Sequence, residues 1–260
     1  MSVRANKALG QNFLMHGKTA ERIADAAGLS PADTVLEIGP GTGKLTRALL
    51  ARAGRVIAVE ADAALAAGLR DAFAADIAAG RLTLVAGDIR AFNPDSLKGP
   101  YALAANIPYY LTGDILRSFL SARHKPRSMT VLVQKEVAER IARSKKESLL
   151  SLSVKAYGTP RYRFTVPRGA FVPAPNVDSA VLSIENIRAD AFASPAEEAR
   201  FFALLHAGFQ HKRKLLARNL EAAAAPAAVA EALRAAGVAA NARAEDLPLA
   251  AWRALAAALA

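Results

Sequence analysis

A short apolar run meets a glycine-rich turn at residues 34–43, which read Thr-Val-Leu-Glu-Ile-Gly-Pro-Gly-Thr-Gly. The apolar run predicts a buried strand over Thr34–Ile38. Glycines at 39, 41 and 43 allow a tight turn and let the backbone approach a ligand closely. A helix is expected from Lys44 to Ala51, so the turn would lie at a helix N-terminus. Strand, glycine turn and helix in this order are typical of open α/β folds whose ligands lie at the carboxyl ends of the strands.

Apolar runs and helical patterns continue to alternate along the first part of the chain. The predicted strands are Val56–Val59, Leu82–Val85, Tyr101–Ala105 and Met129–Val133, and the predicted helices are Lys18–Ala27, Asp62–Asp76 and Asp114–Ser121. This alternation predicts a parallel, doubly wound α/β sheet. Two later runs, Leu150–Tyr157 and Ser179–Ile184, are predicted as further strands that close one edge of the sheet.

The composition of the chain changes near residue 190. Beta-branched residues become scarce after this point, and apolar residues recur at helical spacing. The predicted helices are Pro195–Gly208, Lys212–Ala222, Pro226–Ala236 and Leu247–Leu259. We therefore predict two domains, a catalytic α/β domain over 1–190 and a small all-helical domain over 191–260.

The overall composition excludes several classes of protein. The 260 residues are 53% hydrophobic and 22% charged, which excludes wholesale disorder. Cysteine is absent, which excludes a disulfide framework, Cys-ligated zinc and a thiol nucleophile. The four histidines show no metal-ligand spacing, so we expect no metal. We find neither a membrane-spanning apolar run nor a signal-peptide pattern, and we expect a cytoplasmic protein.

The charge balance favours a polyanionic partner. The net charge is +11 and the sequence pI is about 10.2. Three basic clusters without matching acids predict a nucleic-acid-binding surface. Its candidate residues are Arg140, Arg143, Lys145, Lys146, Arg161, Arg163, Lys212, Arg213 and Lys214. For any one cluster, a solvated helix face or loop is an equally good interpretation.

Acidic residues follow two of the predicted strands. Glu60 ends the second strand, where an acid normally binds ribose hydroxyls, and this fits either a dinucleotide or S-adenosylmethionine (SAM). Asp88 follows the third strand, where its carboxylate could accept a hydrogen bond from an adenine amino group or cap the next turn. Both would lie at the same edge of the sheet as the glycine turn.

The segment Asn106-Ile107-Pro108-Tyr109 follows the fourth strand. Pro108 stiffens the backbone, so that the Asn106 carboxamide and a neighbouring carbonyl can point at one place. Two acceptors can hold the two hydrogens of one amino group, and Tyr109 offers a stacking face. This is the arrangement needed to methylate an exocyclic amine of a base.

Several segments together resemble one family. They read LGQNFL at 9–14, EIGPGTG at 37–43, GD at 87–88, NIPY at 106–109, QKEV at 134–137, FVPAPNVDSA at 171–180 and GFQHKRK at 208–214. In this order they resemble the SAM-dependent rRNA adenine N6-methyltransferases, most closely the KsgA family of small-subunit rRNA adenine dimethyltransferases. The resemblance implies a Rossmann-like class I SAM-dependent methyltransferase sheet with a helical C-terminal domain that contributes to RNA binding.

The resemblance also implies the residues of the site. The implied cofactor-binding residues are Asn12, Leu14, Gly39, Gly41, Glu60, Asp88, Ile89 and Asn106. The implied catalytic residues are Asn106, Pro108, Tyr109 and Phe171, with Tyr109 and Phe171 on either side of a flipped adenine. The implied reaction is dimethylation at N6 of two adjacent adenines in a hairpin near the 3′ end of 16S rRNA, during ribosome biogenesis. The implied partner is the immature 30S particle, bound by a monomer.

Three other interpretations stay open. The first is a 23S rRNA adenine methyltransferase of the macrolide-resistance type, the second a non-catalytic nucleic-acid-binding factor on the same fold, and the third an NAD-linked oxidoreductase. The intact Asn106–Tyr109 segment argues against loss of catalysis. Glu147-Ser148 stands where the family usually has Tyr-Gly, and Tyr110 begins a stretch where Asn-Ile-Ser is frequent. These departures concern the RNA substrate and leave the amine-binding atoms unchanged.

Overall fold

A computed structural model of the chain describes residues 10–259, so Leu9 of the N-terminal motif lies outside the described residues. The strands of this part of the chain are β1 (Phe13–Leu14), β2 (Thr34–Ile38), β3 (Arg55–Glu60), β4 (Leu82–Ala86), β5 (Tyr101–Asn106), β6 (Ser128–Gln134), β7 (Thr159–Val166), β8 (Phe171–Val172) and β9 (Ser179–Glu185). The α-helices are α1 (Gly17–Ala26), α2 (Lys44–Leu50), α3 (Ala63–Ala72), α4 (Ala74–Ala78), α5 (Thr112–Ser121), α6 (Lys135–Ala142), α7 (Leu149–Tyr157), α8 (Pro195–Phe209), α9 (Leu216–Leu220), α10 (Pro226–Ala235) and α11 (Leu249–Ala258).

Seven strands form one sheet in the order β4-β3-β2-β5-β6-β9-β7. The first five are parallel, while β9 runs antiparallel to both β6 and β7. The chain winds outward from β2 through β3 and β4, then returns to β5 on the other side of β2. This reversal places the ends of β2 and β5 side by side, with Ile38 opposite Ala105, and ligands of open α/β sheets bind at such a point.

A second sheet of two strands joins the N-terminal segment to a later loop. Phe13 is opposite Val172 and Leu14 is opposite Phe171 in the antiparallel pair β1–β8. Leu14 and Phe171 are buried in the hydrophobic core, whereas Val172 is exposed, because successive side chains of a strand point to opposite faces. The pair therefore fixes the N-terminal segment on the α/β part of the chain.

The chain divides into two compact units. Among the described residues, the first contains 10–138 together with 159–187, and the second contains 139–158 together with 188–259. The chain passes from the first unit to the second between residues 187 and 188, close to the predicted boundary at residue 190. The stretch 139–158, which the sequence places in the first domain, belongs with the helical unit.

Two sequence-based assignments are wrong, and one strand of the main sheet has no counterpart in the sequence analysis. Leu150–Tyr157 is not a strand: it lies in α7, because Ser148 and Ser151 form a reciprocal capping box that starts a helix and outweighs the Leu-Ser alternation. The edge strand β7 was not predicted, because its arginines interrupt the apolar pattern, as is common on edge strands. The helix predicted over Lys212–Ala222 is confined to α9, since Leu215 has an extended backbone and serves as its N-cap.

The helices of the second unit pack on a core of aromatic side chains. Trp252 of α11 is fully buried and stacks on Phe209 of α8, with ring centroids 5.7 Å apart. A methyl group built on Gly208 would lie 2.2 Å from the Trp252 ring, so only glycine permits this approach of the two helices. Among residues 10–259, no helix is long and apolar enough to cross a lipid bilayer.

Candidate active site

A cavity opens in the first unit at the carboxyl ends of β2, β3, β4 and β5. Its lining comes from 10–14, from the glycine turn, and from the segments that follow β3, β4 and β5. The eight predicted cofactor-binding residues all line it: Asn12, Leu14, Gly39, Gly41, Glu60, Asp88, Ile89 and Asn106. Three of the four predicted catalytic residues do so as well: Asn106, Pro108 and Tyr109.

The glycine turn is held by the acid that follows β3. Glu60 is 4% exposed, and its carboxylate accepts hydrogen bonds from the backbone N–H of Gly41 and of Asp62, both at 2.9 Å. A carboxylate has about four acceptor positions, so each oxygen can still accept a bond from a ligand hydroxyl. Gly41 has φ +58°, and a Cβ there would lie 3.0 Å from the Phe13 ring. Glycine at this position therefore lets the turn pack under β1.

Asp88 is both a turn cap and a member of an ion pair. Its Oδ1 accepts from the Arg90 backbone N–H at 2.8 Å, and its Oδ2 lies 2.5 Å from Arg90 Nη2. The hydrogen bonds from the Arg90 side chain hold the pKa of the Asp88 carboxyl below its ordinary value, so it is ionised at neutral pH. The capping role considered from sequence is thus present, at a position that still faces the cavity.

The Asn106 carboxamide is oriented by the N-terminal segment. Its Nδ2 donates to the Asn12 backbone carbonyl at 2.8 Å. Because this bond fixes which side of the amide carries the nitrogen, the Oδ1 atom is turned away from the Asn12 carbonyl. Within residues 10–259, Oδ1 has no hydrogen-bond partner. The site therefore presents a fixed acceptor in a cavity whose other walls are the glycine turn and the segment after β4.

Tyr109 is anchored at its hydroxyl end. The hydroxyl lies 2.6 Å from Ser179 Oγ, at the start of β9. Ser179 is fully buried, and partial burial of Tyr109 raises the pKa of its phenol above the ordinary value. Tyr109 is therefore a neutral, fixed aromatic ring at neutral pH, beside the amide that precedes it by three residues.

Phe171 does not face the cavity. Its side chain is 2% exposed and packs in the core that includes Leu14, Val166 and Val181. The structure therefore does not bring Phe171 to the cavity beside Tyr109, and its role as the second wall of an adenine site stays a prediction. The physical reason is the β1–β8 pairing, which turns Phe171 inward and the next residue, Val172, outward.

Glu37, the first residue of the glycine motif, is a buried neutral acid. It is fully buried in β2, and neither carboxyl oxygen has a hydrogen-bond partner among the described residues. The pKa of Glu37 is raised to about 8, mainly by burial; the Thr46 hydroxyl lowers it, and the nearby Glu60 carboxylate contributes to the increase. At neutral pH the Glu37 side chain is therefore protonated.

Arg90 and Tyr110 are among the cavity residues that were not predicted from the sequence. Arg90 pairs with Asp88, and Tyr110 lies next to Tyr109 with 59% of its surface exposed. Both lie within two residues of a predicted site residue, and the departure at Tyr110 from the family pattern was the available signal. Among residues 10–259, no group of three or more His, Asp or Glu side chains is arranged to hold a metal ion.

Seven of the nine predicted RNA-binding residues fall into two groups. In the first, the cation is already engaged: Lys146 with Asp246 and Glu245, and Arg163 and Arg161 both with Glu185. In the second, exposed cations have no acidic partner within the described part of the chain; they are Lys145, Lys212, Arg213 and Lys214. Arg140 and Arg143 are exposed on or just after α6. Exposed cations without acidic partners are the better candidates for phosphate contacts.

The basic turn at 212–214 is held by a buried amide. Asn219 is 2% exposed, and its Nδ2 donates to the carbonyls of Gly208 at 2.6 Å and His211 at 3.1 Å. These bonds tie the end of α8 to α9 and leave Gln210–Leu215 exposed between them. Asn219 therefore positions a rigid turn that carries three adjacent positive charges.

Glu147 does not weaken the neighbouring basic cluster. Its carboxylate lies 2.5 Å from Lys155 Nζ and accepts from Ser151 Oγ at 2.7 Å. Its side chain is only 12% exposed, so its charge is neutralised inside the second unit. The Glu147-Ser148 departure is thus a local rearrangement that starts α7, with Ser148 as the N-cap.

Comparisons with known proteins agree on one family. The family model described as "Ribosomal RNA adenine dimethylase" matches residues 2–260. A "Ribosomal RNA small subunit methyltransferase A" from Dehalococcoides mccartyi is 42% identical over 98% of this chain and 88% of its own length. A protein of the same name from Deinococcus radiodurans is 38% identical over 99% of this chain and 86% of its own.

A solved structure supports the same conclusion for the fold. The crystal structure of the 23S rRNA methyltransferase ErmE superposes with a TM-score of 0.78 at 30% sequence identity, covering 95% of this chain and 99% of that one. The Rossmann-like methyltransferase sheet expected from the sequence is therefore confirmed. With the match of the family model over nearly the whole chain, this places the chain in the ribosomal RNA adenine dimethylase family.

Proposed function

We propose that this enzyme dimethylates N6 of two adjacent adenines in a hairpin near the 3′ end of small-subunit (16S) rRNA, acting on the immature 30S particle during ribosome biogenesis. The observation that carries the proposal is the Asn106 carboxamide, whose Oδ1 is held as a free acceptor by the bond from Nδ2 to the Asn12 carbonyl. We further infer a cytoplasmic monomer that needs no metal.

The cavity residues fit the cofactor. The methyl donor is SAM, which supplies an electrophilic methyl group on a sulfonium centre. Glu60 keeps acceptor positions for ribose hydroxyls while its other lone pairs hold the glycine turn. A Cβ on Gly39 would meet nothing within 4 Å, so the backbone there is open for a ligand to approach. Asp88 remains ionised, and therefore an acceptor, next to Ile89.

Asn106 and the next residue hold the target amine. The Pro108 carbonyl already accepts from the Leu111 N–H at 2.9 Å, so we assign the second acceptor to the Ile107 carbonyl. Two acceptors that take the two amine hydrogens localise the nitrogen lone pair and orient it for attack. No general base is required, because an N-methylated adenine cation readily releases its proton to water.

Two methyl additions are compatible with this arrangement. A monomethylated amine has one remaining hydrogen, so the second transfer needs only one of the two acceptors. Tyr109 supplies one stacking face for the base, with its hydroxyl fixed by Ser179. Phe171 can supply the other face only if the β1–β8 pair opens when RNA binds, since the ring is buried in this structure.

The small-subunit target is favoured over the large-subunit one by the relatives. The proteins at 42% and 38% identity carry the small-subunit name, whereas the structure named for 23S rRNA is 30% identical. The exposed cations without acidic partners, Lys145 and Lys212–Lys214, supply phosphate contacts in this proposal.

The test uses methyl-labelled SAM with small and large ribosomal subunits that lack adenine dimethylation. Nucleoside analysis of the small-subunit RNA is expected to give N6,N6-dimethyladenosine. Asn93→Ala serves as a matched control for Asn106→Ala. Asn93 caps a short turn and does not line the cavity, so this variant should incorporate as much label as wild type. Label that appears only in the large subunit, or no label in either, contradicts the proposal.

A further inference from the structure

Three of the large apolar side chains that remain exposed lie on the cavity wall or next to segments that line it. In the described part of the chain the exposed large apolar side chains are Met15, Tyr110, Val172, Val177 and Leu215. Tyr110 lines the cavity, Met15 follows the cavity residue Leu14, and Val172 is paired with the cavity residue Phe13. Of these three, Tyr110 alone lines the cavity itself.

Tyr110 is the most exposed of these side chains and is nevertheless held in place. A Cβ built on Gly10 would lie 3.0 Å from Cε1 and 3.2 Å from Cδ1 of Tyr110, and 3.6 Å from Pro108 Cβ. Because Gly10 has φ +58° and no side chain, one edge of the Tyr110 ring can rest against the backbone. The rest of the ring is open, at 59% exposure of the residue.

Tyr109 and Tyr110 cannot stack on the same base. They begin a 3₁₀ turn over Tyr109–Leu111, in which consecutive side chains point about 120° apart. Tyr109 is fixed toward β9 through Ser179. The Tyr110 ring therefore presents its free face in a different direction, to a group outside the position that Tyr109 serves.

Resting on the proposed function, we propose that Tyr110 is the stacking face for the nucleotide adjacent to the adenine in the cavity. Extruding one base leaves its neighbour without a stacking partner. An exposed aromatic ring stacks on any base without sequence readout, which suits a residue that need not discriminate. With two adjacent target adenines, Tyr110 holds one while the other reacts.

The experiment measures affinity for synthetic RNA hairpins in the presence of S-adenosylhomocysteine, by fluorescence anisotropy. Each hairpin has one adenine at the target pair, and the other position carries either purine riboside or an abasic site. Purine riboside can stack on an aromatic ring, but it has no amine to donate to the Asn106 and Ile107 acceptors. The 5′ and 3′ arrangements are made as separate RNAs, and wild type is compared with Tyr110→Ala and Tyr110→Phe.

We expect Tyr110→Ala to weaken binding of a purine-riboside hairpin roughly 5- to 100-fold, and not to weaken binding of its abasic counterpart. Tyr110→Phe retains a ring and should bind the hairpins as wild type does. SAM affinity is measured by calorimetry in both variants. An equal loss on both hairpins in either arrangement, or a loss confined to SAM affinity, overturns the assignment. If wild type methylates small subunits but Tyr110→Ala binds every hairpin as wild type does, this inference is refuted and the proposed function stands. If wild type methylates no subunit, the proposed function is refuted.

Discussion

Replacing Glu37 by glutamine should change how stability depends on pH. In the native protein burial raises the pKa of Glu37 to about 8, whereas its ordinary value is 4.5. Between these values the unfolded chain has lost this proton and the native state keeps it. Because the native state binds more protons, its free energy of unfolding falls as pH rises, by about 1.4 kcal/mol per pH unit. From pH 5 to pH 8 the accumulated loss is about 4 kcal/mol.

Glu37→Gln has nearly the same shape and does not titrate, so this contribution disappears. The assay is urea unfolding followed by far-UV circular dichroism at pH 5, 6, 7 and 8, without ligands. The stability of the variant relative to wild type should increase by about 4 kcal/mol over this range, since all other titrations are common to both proteins. Parallel stability profiles would refute the reasoning, because they require Glu37 to ionise in the native state as it does in the unfolded chain.

Two further predictions use matched pairs of positions. Gly43 has φ +77° and a Cβ there would lie 2.6 Å from the buried Phe73 ring, so Gly43→Ala should cost roughly 2–5 kcal/mol in urea unfolding. Gly28 has φ +58° and open space around it, so Gly28→Ala should cost only about 1 kcal/mol; equal losses would show that the Phe73 contact is unimportant. Lys145→Ala should reduce the salt dependence of RNA affinity by about one unit of slope, whereas its ion-paired neighbour Lys146 should contribute less. A larger effect at Lys146 would contradict the division of the basic residues into those with and those without an acidic partner.

Local patterns were sufficient to predict the centre of the fold. The strand Thr34–Ile38, the glycine turn and Asn106 at the end of β5 are all set by short-range chemistry, and the sheet brings their ends together. The alternation predicted a parallel doubly wound sheet, and the structure adds the strand order, with the switch point where β5 returns beside β2. This is why every predicted cofactor-binding residue lines the cavity.

Features that depend on long-range pairing could not be predicted. Lys146 looks free in the sequence, but its acidic partners lie about 100 positions further on, at Glu245 and Asp246. Phe171 is turned inward by a strand that begins at Phe13. The Leu-Ser alternation after residue 148 suits a strand, and the capping box that makes it a helix is a weaker signal in a single sequence.

The most direct test of the account is the single-turnover rate of methyl transfer to undermethylated small subunits by Asn106→Ala, measured together with SAM affinity. The change removes the Oδ1 acceptor and the hydrogen bond that Nδ2 donates to the Asn12 carbonyl. Loss of one preorganised hydrogen-bonding group should slow the chemical step about 100- to 1,000-fold, while the dissociation constant for SAM stays within about tenfold. An unchanged transfer rate, or a slower one explained entirely by weaker SAM binding, would contradict the role of Asn106 in holding the amine.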